Sequence, residues 1–177
     1  REGGLRVHGS TDRIVITGND FQKNGKSGME IQNTRDFVVS DNLSVDNGTS
    51  ASEQFGVFVS ATTRDVINGV ISGNRFGNSS LDGGTTQTTG IRFGSGGGFN
   101  PTDITCDHNS MIGLTSPFGG VAGIRIVKSR NRYTTGAMQG RQALVNGTAT
   151  VSTAEVQAGD NILLTRVVAG GTTKGVL

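Results

Sequence analysis

Hydrolysis of a glycosidic bond takes two carboxyl groups, about 5–5.5 Å apart for retention or about 6.5–9.5 Å apart for inversion. The chain has 14 Asp and Glu residues from which such a pair can come. Asp12, Asp36, Asp65 and Asp103 each follow a threonine by one or two residues. A residue type that returns at one place in every repeat serves the backbone, so this set reads as structural. The carboxylates that break the pattern are better candidates: Glu30, Asp41, Glu53 and Asp107. Asp41 stands where Gly18 and Gly73 stand in neighbouring repeats. Glu30 and Asp41 are therefore the expected catalytic carboxylates.

Arg6, Glu30, Phe58, Arg92 and Arg125 share the third place of a recurring tetrad. Guanidinium forks match carboxylates and sulfates, and a phenyl ring offers a face to a pyranose. This stripe is the expected carbohydrate-binding surface, with a solvated face or a subunit interface as the plainer alternative. His8 and His108 fall at different places in the repeat, so no zinc or nucleophilic constellation is expected. A lyase would use an arginine base and commonly a Ca²⁺ ion held by several carboxylates, but no acidic cluster is visible. No metal or cofactor is expected. Gly94 to Gly98 is glycine-rich yet opens no helix, which a phosphate cradle requires. Asn146-Gly147-Thr148 fits a glycosylation sequon, but Asn-Gly between β-prone runs is better explained as a hairpin turn.

The elements that position these residues are repeats. Gly-apolar-x-apolar occurs as Gly4-Leu5-Arg6-Val7, Gly28-Met29-Glu30-Ile31, Gly56-Val57-Phe58-Val59, Gly90-Ile91-Arg92-Phe93 and Gly123-Ile124-Arg125-Ile126. A second column is apolar-x-x-Asn: Ile16 to Asn19, Val39 to Asn42, Ile71 to Asn74 and Cys106 to Asn109. The period-2 pattern predicts strands, and each unit is too short for a strand plus a crossover helix. One coil per repeat, each strand pairing in parallel with its equivalent in the next, satisfies both constraints. That is a parallel β-helix of about five coils, stacked at the interstrand spacing of about 4.8 Å. The second and fourth tetrad residues then point inward and the third points outward. Asn19, Asn42, Asn74 and Asn109 are expected to form a ladder at a turn, since Asn tolerates the left-handed conformation and stacked amides bond along the axis. Extra residues should leave the coils as loops at 48–54, 77–88, 94–102 and 112–121.

Composition narrows the function classes. The 177 residues include 29 Gly and only 2 Pro, with 5% aromatics and no Trp. This suits repetitive stacking of small and branched side chains. The formal net charge is only +2, and the one dense basic run, Lys128, Arg130 and Arg132, reads as a solvated boundary segment. Nucleic-acid binding is not expected. A single Cys106 excludes an intrachain disulfide framework. No run of about 18 apolar residues is present, so no membrane insertion is expected. The chain begins at Arg1 with a tetrad almost at once, which suggests a processed or truncated chain whose first coil is covered by something else.

The segments "ITGNDF", "VSDNLS" and "VISGNRF", alternating with the tetrads, resemble the right-handed β-helix of the pectate-lyase-like superfamily. That superfamily includes pectate lyases, polygalacturonases, alginate epimerases and phage tailspikes. The resemblance covers about residues 3–127 and rests on structural columns, so it speaks for the fold more than for one activity. Residues 143–177, "ALVNGTATVSTAEVQAGDNILLTRVVAGGTTKGVL", resemble a β-rich segment recurrent at the C-termini of phage tail proteins and spikes. Together these imply an all-β chain: a right-handed β-helix over 1–127, a linker over 128–141, and a small antiparallel segment over 142–177 that supports oligomerisation. They imply a phage tailspike or tail fibre segment, part of the virion and acting outside the host cell. It would bind bacterial surface polysaccharide, with depolymerisation by hydrolysis or lysis as a further activity. Its partners would be other tail proteins and further copies in a homotrimer. A stand-alone secreted lyase, hydrolase or epimerase and a purely structural fibre segment are the alternatives.

Overall fold

The computed structural model describes residues 3–50, 53–79, 86–121 and 123–133. These residues form strands and turns without any helix, and therefore no helix long and apolar enough to cross a membrane. The strands come in triplets. β1 (Leu5–Val7), β2 (Asp12–Thr17) and β3 (Asp20–Gln22) are followed by β4 (Met29–Gln32), β5 (Arg35–Ser40) and β6 (Leu43–Val45). Next come β7 (Phe55–Ala61), β8 (Val66–Ser72) and β9 (Arg75–Gly77), then β10 (Thr89–Ser95), β11 (Pro101–Asp107) and β12 (Ser110–Ile112). The last are β13 (Ser116–Gly120), β14 (Ile124–Ser129) and β15 (Arg132–Tyr133). Equivalent strands pair in parallel to build three five-stranded sheets: β1-β4-β7-β10-β13, β2-β5-β8-β11-β14 and β3-β6-β9-β12-β15. The arrangement is consistent with a parallel β-helix.

The inward columns make the core. Leu5, Met29, Val57 and Ile91 are in register, as are Val7, Ile31, Val59 and Phe93. The second sheet adds Ile16, Val39, Ile71 and Cys106 in register, with Phe37 and Ile104 beside them, and the third adds Phe76 and Met111. Side chains of this size contribute about 1.5–3 kcal/mol each on full burial.

The fifth tetrad does not continue the first sheet. Phe118 and Gly120 of β13 take the places expected for Ile124 and Ile126. Those two residues lie in β14, facing Thr102 and Ile104 of the second sheet. The stretch 112–121, expected as a loop, therefore contains a core strand. Pro117, Gly119 and Gly120 had erased its alternation, and Gly-apolar-x-apolar suits either sheet. β14 and β15 also extend paired structure to Tyr133, so Lys128 and Arg132 are strand residues and not linker. Residues 134–141 and the C-terminal segment 142–177 lie outside the described residues.

The tetrad glycines are required by close approach. A Cβ on Gly28 would stand 2.2 Å from Ser44 Oγ and 2.9 Å from the Gly56 carbonyl. On Gly56 it would stand 2.4 Å from Phe76 Cδ1 and 2.7 Å from the Gly90 carbonyl. Gly4, Gly28, Gly56 and Gly90 thus each sit beneath a third-sheet side chain of their own triplet and against the backbone of the next.

The asparagine column forms a ladder of amide hydrogen bonds. Asn19 N donates to Asn42 Oδ1 (2.9 Å), Asn42 N to Asn74 Oδ1 (3.0 Å) and Asn74 N to Asn109 Oδ1 (3.0 Å). A fifth asparagine, Asn131, whose Oδ1 accepts from Asn109 N (2.9 Å), escaped the sequence reading. The residue before each rung is left-handed: Gly18, Asp41, Gly73, His108 and Arg130, with φ from 48° to 68°. A second ladder at the corner between the third and first sheets was also missed. There Asn24 Nδ2 donates to Asn47 Oδ1 (2.9 Å) and Asn47 Nδ2 to Gln87 Oε1 (3.0 Å). It stops where Leu114 takes the next corner, and Gln87 Nε2 is left buried without a partner.

The expected aspartate column divides. Asp36 and Asp103 share with Arg13, Asn68 and Arg125 a left-handed place within the second-sheet strands, φ 51–59°. Asn and Asp tolerate this conformation best among non-glycine residues. Asp12 instead begins β2 opposite Arg35, and Asp65 accepts a hydrogen bond from Asn100 N at 2.7 Å.

Candidate functional site

The outer face of the first sheet carries the expected stripe for four of its five members. Arg6, Glu30, Phe58 and Arg92 lie in register on successive strands, and the fifth place is Gly119. Arg125 is on the second sheet, where its guanidinium pairs with Asp103 through Nε and, at 2.5 Å, through Nη2. The hydrogen bond from Arg125 holds the Asp103 carboxyl below the usual carboxylate range, against a smaller upward pull from burial.

The stripe has two chemically different ends. At the first, Arg6 Nε is 3.0 Å from Glu30 Oε2 and Lys26 Nζ is 3.7 Å from Glu53 Oε1. These four charges line a shallow groove with Gly3, Leu5 and Ser27. The Ser27 hydroxyl is buried there without a hydrogen-bond partner. Further along, Phe58 meets Phe55 edge-on, centroids 5.5 Å apart at 61°. The Arg92 guanidinium lies 4.9 Å from the Phe55 ring centre. Phe55 belongs to the site although it was not among the expected residues. It sits three places before Phe58, outside the tetrad, where alternation gives no signal.

Glu30 and Asp41 are not brought together. Glu30 is on the outer face of the first sheet, whereas Asp41 is an exposed left-handed corner residue between the second and third sheets, on the opposite side of its coil. The Asp41 carboxylate lies over Gly73, where a Cβ would stand 2.4 Å from Asp41 Oδ1. The carboxylate that shares a groove with Glu30 is Glu53.

Asp107, singled out for breaking the repeat, anchors a second cluster at the corner between the second and third sheets. It accepts hydrogen bonds from Arg130 Nε (3.0 Å) and Ser129 Oγ (3.0 Å), and His108 Nδ1 lies 2.9 Å away. Burial pulls the Asp107 carboxyl upward, but the Arg130 and Ser129 hydrogen bonds and the Arg130 and His108 charges outweigh it. Its pKa therefore settles below the usual carboxylate range. Ser129 and His108 both bind Asp107, so this is not the nucleophile–base–orienter relay of a hydrolase. Cys106 is buried, and burial pushes its thiol up to about 12 despite nearby Lys128. A thiol so protonated is no nucleophile at neutral pH. Among the described residues no three His, Cys, Asp or Glu side chains group as metal ligands.

Comparison of the chain with protein-family models, with curated proteins and with solved structures returns no match.

Proposed function

We propose that this chain is a segment of a phage tailspike or tail fibre that binds bacterial surface polysaccharide along the outer face of its first sheet. The observation that carries the reading is the alignment of Arg6, Glu30, Phe58 and Arg92 on four successive strands. A polymer with repeating polar groups and sugar rings fits a surface whose own groups repeat about every 4.8 Å. The Phe55–Phe58 pair supplies the ring platform, and the Arg6–Glu30–Lys26–Glu53 groove supplies donors and acceptors for hydroxyl groups. Glu30 and Glu53, in place of Glu30 and Asp41, are the carboxylates to test for depolymerisation. A right-handed coil is the sense that parallel crossovers almost always take.

The homotrimer belongs to the same reading. Val15, Val38, Val70, Thr105 and Val127 are in register on the outer face of the second sheet. Val15 is 69% exposed and Val127 53%. Parallel sheets are ordinarily covered on both faces, and further copies of the chain would cover this one.

The test is retention of the 177-residue chain on immobilised surface polysaccharides and a glycan array, with Phe58→Ala as the variant. Binding that the variant weakens about tenfold supports the reading, in line with the loss of one buried ring contact. Absence of binding across the array, by a folded chain, overturns it in favour of a shaft without sugar affinity, for which the two amide ladders are sufficient explanation.

A further inference from the structure

We infer that the sugar held on the first-sheet face is acidic, and that Arg92 binds its carboxylate or sulfate while a ring of the same chain lies on Phe58. The inference rests on the polysaccharide reading above. Three arginines look equivalent in the tetrads, and their surroundings rank them. The charge of Arg6 is already met by Glu30 at 3.0 Å. Arg125 is on another sheet and bound to Asp103. Arg92 has no carboxylate partner among the described residues. Its contact with Phe55 at 4.9 Å orients the guanidinium without neutralising it. The register place beyond it is Gly119, where a Cβ would stand 3.9 Å from Arg92 Nη1, so no side chain covers the fork on that side.

The neighbouring platform is fixed from two directions. A Cβ on Gly94 would stand 2.8 Å from Phe58 Cε2 and 2.9 Å from Cζ, so the ring lies down on the Gly94 backbone. Phe55 holds it from the side at 5.5 Å. Platform and fork sit on adjacent strands, about 4.8 Å apart. That separation suits an acidic group borne on a sugar ring, with the ring stacked and the anion bound bidentately.

The experiment measures binding of the full chain to acidic polysaccharides, each beside its carboxyl-reduced or desulfated counterpart, in low and high salt. The expected result is tighter binding of the acidic form by about tenfold or more, the scale of a charge-assisted hydrogen-bonded pair. Arg92→Gln should abolish that preference, Arg92→Lys should retain part of it, and Arg125→Gln should leave it intact. Phe58→Ala should weaken both forms alike. Thermal unfolding establishes that each variant is folded. Equal affinity for both forms, or a preference unchanged in a folded Arg92→Gln chain, overturns the inference and leaves the polysaccharide reading standing. No binding to any glycan overturns both.

Discussion

A buried amide that bonds in several directions is costly to remove. Asn74 Nδ2 donates to the carbonyls of Val39 and Ser72 and to Asn109 Oδ1, while its own Oδ1 accepts from Asn42 N and Nδ2. Asn74→Ala should destabilise the chain by about 2–4 kcal/mol, because it leaves buried groups unpaired on two strands. Asn19→Ala, at the exposed end of the same ladder, should cost about 1 kcal/mol. Urea unfolding of the two variants checks the ranking. Asp107 sets a pH dependence. Its pKa in the folded state lies below the ordinary carboxylate range. A group so shifted contributes stability that is fully present above its unfolded value and is lost as pH falls through the folded one. The unfolding midpoint should therefore fall below about pH 4, and Asp107→Asn should lose part of that acid dependence. Curves for the two proteins that stay parallel from neutral pH into acid would show that the Arg130 pairing contributes nothing.

At the scale of the element, two kinds of glycine behave differently. Gly56→Ala drives a Cβ into Phe76 and the Gly90 carbonyl, backbone that cannot easily give. A cost of about 1–3 kcal/mol is expected, as for overpacking. Gly18 has nothing within 4 Å of a Cβ but a φ of +68°. Its column already accepts Asp41, His108 and Arg130, so Gly18→Asn should change stability by less than about 0.5 kcal/mol. Thermal unfolding of both variants is the measurement. What was legible in the sequence follows the same division. The first four tetrads and the Asn19–Asn109 rungs were visible because each keeps one residue type at one place. Asn131 was hidden between Arg130 and Arg132, where it looked like part of a basic run. The second ladder changes residue type at Gln87, forty positions after Asn47, and no fixed period reaches it. Glu53 and Phe55 were beyond pattern reading because they stand at a corner, where the path of the backbone and not its alternation decides what faces the groove.

For the whole molecule, the two outer faces divide their roles. The first sheet presents paired charges and rings, and the second presents a column of four valines and a threonine with no charge in it. Val15→Glu with Val127→Glu should lower the solution mass to that of a monomer, because two carboxylates would have to be desolvated in the interface. Light scattering reads this directly, and an unchanged mass would remove the second sheet from the assembly. The same double variant should leave glycan affinity per chain unaltered, since neither residue borders the Arg92–Phe58 surface.

The asparagine ladder runs one way. From Asn19 to Asn109 each backbone N–H, and the Nδ2 bond between amides, points toward the later rung, and from Asn42 to Asn131 each Oδ1 accepts from the earlier one. Among the described residues the run begins with Asn19 donating to Asn42 and ends with Asn131 accepting from Asn109. A coil turned end for end within such a stack would set oxygen against oxygen at one face and N–H against N–H at the other. The polarity of the polypeptide is thereby copied into a row of side chains, so that each coil accepts its neighbour in one orientation.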